Sequence, residues 1–184
     1  MLRRSARCEA GFTLAETLVA LAIVVTAVLG LVPSFVFATR ANERARAMAL
    51  ATVLASEQID RLRALSWHLD PAGARVSDID TDLTVVPERV GGRGLTPSPS
   101  DALERNVAGH CDFLDRRGRW LSGGTSPPVG TAYVRRWLIE PLAANPADGL
   151  VVHVRVMPAL GAVSDRRPAA DEVRIVTVRA RTTR

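Results

Sequence analysis

Gly11-Phe12-Thr13-Leu14-Ala15-Glu16 opens a run, FTLAETLVALAIVVTAVLGLVPSFVFAT over Phe12–Thr39, in which 28 residues hold a single charge, Glu16. As a helix this run is about 42 Å long at 1.5 Å per residue. Roughly 20 apolar residues already cross the hydrocarbon of a bilayer. In front of it stands a short basic leader, Met1–Gly11, with Arg3, Arg4 and Arg7 against Glu9. Two ordinary readings fit a basic leader feeding a membrane-length helix. In a cleaved secretory signal, Thr17–Val32 is the apolar region and Val36-Phe37-Ala38 the small-residue cut site. In an uncleaved single-span anchor the run stays in the bilayer. Arg40, Arg44 and Arg46 follow the run as densely as the leader arginines precede it, so charge counting does not separate the two. A lipoprotein anchor does not fit, because Cys8 precedes the apolar run instead of ending it.

Glu16 fits neither ordinary reading. An acid at the centre of a spanning helix costs about 2.5–3.5 kcal/mol on insertion scales. The cost falls near the helix start, where the side chain snorkels and the helix dipole favours an anion. Such a residue calls for a positive partner in the same layer. With its basic leader, Gly11-Phe12-Thr13-Leu14-Ala15-Glu16 resembles the class III signal of type IV pilins and pseudopilins. The resemblance implies that prepilin peptidase cuts between Gly11 and Phe12 and methylates the new amine of Phe12. It further implies that Glu16 pairs with the N-terminal amine of a neighbouring subunit during filament assembly. Two charges that are each intolerable alone in hydrocarbon favour docking one subunit beside the next at a fixed offset. Gly30 and Pro33 match the place where the family's helix often kinks, although both residues are common in membrane helices in any case.

Downstream, Ala41–Trp67 lacks Gly and Pro and is rich in good helix formers. At 100° per residue, Ala47, Ala51, Leu54, Ala55, Leu62 and Leu65 share one side. Arg46, Glu57, Asp60 and Arg63 share the other, with Arg61 at the stripe's edge. The helix is therefore expected to run to about Trp67 and to stop at Asp70-Pro71-Ala72-Gly73. Residues 70–132 read as loop-rich, with Cys111–Leu121 as an added edge strand and Ser122–Gly130 as loop. Tyr133–Leu142, Leu150–Met157 and Val173–Ala180 read as strands, joined by turns at Asn145–Gly149 and Ser164–Asp171. In the middle strand Leu150, Val152, Val154 and Val156 face one way, which leaves His153 on the polar side and exposed.

The expected fold is α+β. A long N-terminal helix, transmembrane over 12–39 and amphipathic over 40–69, packs against a C-terminal antiparallel sheet in 133–184. That is the pilin-like arrangement, and the span and head look most like V-type minor pilins or I-type pseudopilins. Tyr133-Val134-Arg135-Arg136-Trp137 is similarly reminiscent. The resemblance implies these partners: prepilin peptidase, other pilins or pseudopilins through the N-terminal helix, and the inner membrane, with the head outside the cytoplasm. Major pilins of the family close a C-terminal loop with a disulfide. Here only Cys111 remains after the cut, which points to a minor subunit. The rival is a single-span anchored binding domain that never polymerises.

Enzyme chemistry is not expected. All 24 basic residues are Arg, so no P-loop lysine, pyridoxal Schiff base or Ser–Lys dyad can form. No GxSxG stands in the chain, and Gly91-Gly92-Arg93-Gly94 matches no nucleotide fingerprint. No cofactor or metal is expected either. His68, His110 and His153 are scattered, and only His110-Cys111-Asp112 brings ligand types together. The alternating Asp78, Asp80 and Asp82 lack the glycine that a calcium loop needs at its sixth position. Charge is uneven: Asp70–Asp115 holds 9 acids and 4 Arg, a balance of −5, and Arg116–Arg184 holds 12 Arg and 5 acids, a balance of +7. Complementary patches of this kind suit stacking of successive subunits. Nucleic acid is not the expected partner, because the arginines interleave with strand residues and few aromatics accompany them.

Overall fold

The structure is a computed structural model and describes residues 13–159 and 172–183. Gly11 and Phe12, the leader, and the turn expected at Ser164–Asp171 lie outside the described residues. The protein is α+β, with one long N-terminal helix, apolar in its first half, and a C-terminal antiparallel sheet. The chain divides into two compact units, Met1–Arg44 and Ala45–Arg184.

In the first unit the described residues are helical from Leu14, where helix α1 (Leu14–Ala64) begins. The segment is long and apolar enough to cross a membrane. Its apolar side chains point out on every side, among them Leu14, Leu21, Ile23, Leu29, Leu31, Phe35 and Phe37. A helix apolar all round needs an apolar medium around it.

The second unit contains the rest of α1. Of the stripe read from the sequence, Ala51, Leu54, Ala55 and Leu62 enter the core and Ala47 and Leu65 are half-buried, while Ile59, outside that stripe, is buried with them. The helix ends at Ala64, three residues before the expected Trp67, and a reason is visible. Arg179, from the last strand, donates to the carbonyls of Leu62 and Leu65 at 2.9 and 2.6 Å. These are orphan acceptors at a helix C-terminus, and a cation also suits the negative end of the dipole. Trp67 instead starts strand β1 (Trp67–Leu69), which pairs with β2 (Arg75–Ser77). Asp70-Pro71-Ala72-Gly73 is therefore the turn of a small hairpin and not the end of the helix. A second short pair joins β3 (Thr81–Asp82) to β4 (Arg89–Val90).

The main sheet has five strands. They are β5 (Cys111–Leu114), β6 (Trp120–Gly123), β7 (Tyr133–Pro141), β8 (Gly149–Pro158) and β9 (Val173–Ala180). Their order is β6-β5-β7-β8-β9, with every neighbouring pair antiparallel. The three strands expected after residue 133 are present. Cys111–Leu121, however, is two strands and a turn, and β5 lies inside the sheet while β6 forms the edge. Ser122 and Gly123, expected in a loop, belong to that edge. The helix packs on the face carrying Leu150, Val152, Val154 and Val156 with Tyr133, Trp137 and Ile139. On the opposite face Cys111, Phe113, Val134 and Met157 form a smaller cluster.

Candidate functional site

Thr13 and Glu16 start α1 as a reciprocal pair. The Thr13 backbone N–H and hydroxyl each donate to Glu16 Oε2 at 2.9 Å, and the Glu16 N–H donates back to Thr13 Oγ1 at 3.3 Å. This is a capping box, which satisfies donors that a helix start leaves without partners. It fixes the carboxylate at the front edge of the apolar surface. Reading of the sequence singles out Glu16 and passes over Thr13. The signal was present, because T-x-x-E ahead of an apolar run is the box's own spacing. Gly11 and Phe12 lie outside the described residues, so no geometry relates them to Glu16.

Further along, the polar side chains of the apolar segment turn inward on their own backbone. Hydroxyls of Thr17, Thr26, Ser34 and Thr39 donate to the carbonyls of Leu14, Ala22, Gly30 and Val36 at 2.8–3.3 Å. Such back-bonding leaves little unsatisfied polarity on the helix surface. Pro33 sits within the helix, where it has no N–H to give the preceding turn. A Cβ placed on Gly30 would meet nothing within 4 Å, so its surface is open. The arrangement as a whole is one carboxylate at the front of a helix whose surface is otherwise apolar.

The second unit places the other candidate residues in structural roles. His110 is buried edge-on to Trp137, with ring centroids 6.4 Å apart, and its Nδ1 lies 3.0 Å from Ser98 Oγ. The Ser98 oxygen also accepts the Ile139 N–H at 2.9 Å. Burial, aided by the Arg93 charge, holds the His110 ring down at about 4, so it is neutral at pH 7. Burial pushes the Cys111 thiol up to about 12, which removes the thiolate a nucleophile or metal ligand requires. Asp112 is spent on Arg135, whose Nε and NH2 donate to its two oxygens at 3.0 and 2.6 Å. Burial pushes the Asp112 carboxyl up, opposed by Arg135. Three adjacent residues thus serve three separate structural purposes.

The acidic loop behaves in the same way. Asp78 accepts from the Asp80 and Thr81 N–H groups and from the Thr81 hydroxyl, and Asp82 accepts from the N–H and hydroxyl of Thr84. These are turns built by side chains. Among the described residues, no group of three or more His, Cys, Asp or Glu side chains is placed to hold a metal ion. His153 differs from the expectation of a merely exposed side chain. It lies 2.9 Å from Glu140 Oε1 and accepts from Arg174 at 3.1 Å, with 12% of its side chain exposed. Glu140 and Arg174 cover it from the strands on either side. Comparison with protein-family models, with curated proteins and with solved structures finds no match to this chain.

Proposed function

We propose that the protein is a minor pilin or pseudopilin, a structural or initiating subunit of a type IV pilus or a type II secretion pseudopilus. In this reading prepilin peptidase cuts after Gly11 and Phe12 becomes the methylated N-terminus. The apolar half of α1 anchors the chain in the inner membrane as a single span, with the head outside the cytoplasm. Subunits then join through their N-terminal helices, and Glu16 of one meets the new amine of another.

The single observation carrying the proposal is the placement of Glu16. It is the one acid of the apolar run, held by Thr13 in the first turn of a helix whose apolar residues are exposed all round. Neither a secretory signal nor a plain anchor gains from a carboxylate at that depth, whereas a filament gains an axial register.

Intact mass and N-terminal sequencing of chain recovered from membranes test the processing. Methylated Phe12 as first residue is the expected result. A start at Thr39 means a secretory signal, and an intact Met1 means a plain anchor. The variant Glu16→Ala tests assembly: it is expected to insert and be cleaved normally and to leave filament or secretion function absent. Function that survives this substitution overturns the pairing of Glu16 with the amine.

A further inference from the structure

The turn between β5 and β6 is Asp115-Arg116-Arg117-Gly118-Arg119. The Gly118 N–H donates to the Asp115 carbonyl at 3.0 Å and the Asp115 N–H to the Arg119 carbonyl at 2.9 Å. Gly118 has φ +77°, the left-handed conformation that closes a three-residue hairpin loop. Arg116 and Arg117 therefore occupy the tip. Asp115 holds the turn from inside. Its Oδ1 accepts the Arg117 and Arg119 N–H groups at 2.8 and 2.9 Å, and its Oδ2 accepts from Arg119 Nε at 2.7 Å. The acid neutralises Arg119 alone. Arg116 and Arg117 are exposed and have no acidic partner among the described residues.

The tip also has a defined position. A Cβ on Gly118 would lie 2.9 Å from Leu54 Cδ2 and 3.5 Å from Leu50 Cδ1. The turn thus rests on the first helical turns of the second unit, which begins at Ala45. That is the end at which the chain comes in. Arg46 is exposed there, and Arg40 and Arg44 precede it with Glu43 as the one acid among them. Glu172, close to the start of β9, is engaged by Arg155.

We propose that this arginine tip docks on the anionic lipid headgroups of the leaflet from which the chain emerges, an inference that rests on the membrane-anchored reading above. Six residues, Arg40–Ala45, join the apolar run to this unit, at most about 21 Å of chain. The headgroup layer adds roughly 5–7 Å beyond the hydrocarbon, and the screening length at physiological salt is about 8 Å. A unit on so short a tether stays beside the bilayer surface, and its entering end, where the tip lies, carries two extended guanidinium groups within range of phosphate charge. Their planar forks match a phosphate's oxygens. Arg40, Arg44 and Arg46 add to the same attraction. The docked head is held against the bilayer until assembly lifts it away.

The full chain is isotope-labelled and placed in nanodiscs carrying a trace of nitroxide-headgroup lipid. One set of discs is phosphatidylcholine alone, and the other is phosphatidylcholine with phosphatidylglycerol at about 7:3. The expected result is at least a two-fold stronger relaxation enhancement of the Arg116 and Arg117 amides in the anionic discs. It is lost at high salt and in the R116Q/R117Q variant. Equal enhancement in both discs overturns the proposal, as does an enhancement the variant leaves unchanged. An effect seen only above one chain per disc overturns it in favour of a second copy as partner. A chain that fails to enter either disc overturns the anchored reading itself, and the docking with it.

Discussion

Replacing Asp112 with Ala is the sharpest test of how the head is held together. Asp112 and Arg135 are partners across β5 and β7 and are 0% and 1% exposed. Arg135 also donates to the Leu54 carbonyl at 3.1 Å, so the guanidinium lies between sheet and helix. Loss of the carboxylate removes two of its hydrogen bonds, each worth about 1.5–3 kcal/mol when a charge is involved. Arg cannot shed its proton to escape, and Glu57 Oε2, at 3.9 Å and half exposed, is a poor substitute. The expected cost is about 3–5 kcal/mol, a large share of the roughly 5–15 kcal/mol that stabilises a domain. Thermal unfolding of the full chain in detergent, followed by the near-UV signal of the tryptophans, should show a fall in Tm of about 10 °C or more. The double variant D112L/R135M removes both buried charges at similar volume and should melt near or above the parent. A single variant within about 1 kcal/mol of the parent refutes the reasoning. So does a double variant as damaged as the single one.

Two further outcomes follow from the head. His110 is neutral when folded, near 4, against 6.5 when unfolded. The stability it contributes is complete above pH 6.5 and is lost as pH falls toward 4, by at most about 3 kcal/mol. Glu88 and Asp148, held low chiefly by hydrogen bonds from Arg61 and Arg75, lose theirs only below the ordinary carboxylate range. Because burial pushes the Asp112 carboxyl up toward the same window, the histidine's share is the difference between parent and H110Q in chemical denaturation between pH 6.5 and 5, and H110Q should flatten that slope. At the turn, Gly118→Val adds a branched side chain at φ +77° with its Cβ 2.9 Å from Leu54 Cδ2. A destabilisation of about 1–3 kcal/mol is expected in the same melts, chiefly from the left-handed backbone, and an unchanged Tm would mean that Gly118 does not hold that conformation in the turn.

How far the fold can be read from the chain depends on the range of the interaction concerned. The apolar run, the buried helix stripe and strands β7, β8 and β9 were all legible, because each repeats a local period that needs no knowledge of distant residues. Asp115 and Gly118 also mark a tight turn, yet they sit between runs too short to show a period, so β5 and β6 read as one strand. Arg135 was illegible for a different reason. Alternation along Tyr133, Arg135, Trp137 and Ile139 points it into the core, and only Asp112 on another strand makes that placement tolerable. The basic balance of Arg116–Arg184 misleads in the same way. Arg136 and Arg155 donate to the Leu103 carbonyl, Arg179 to the end of α1, and Arg181 to the His68 and Val76 carbonyls while stacked 3.4 Å from the Trp67 ring centroid. These arginines work as internal struts, a use that their guanidinium forks suit and that no count of charges reveals. For the described residues, a reading of the C-terminal part as a broad basic surface therefore overstates what a partner would meet. Among the described residues the charge that reaches the surface unpartnered is narrower, and Arg116 and Arg117 present part of it on a turn at the end where the chain comes in.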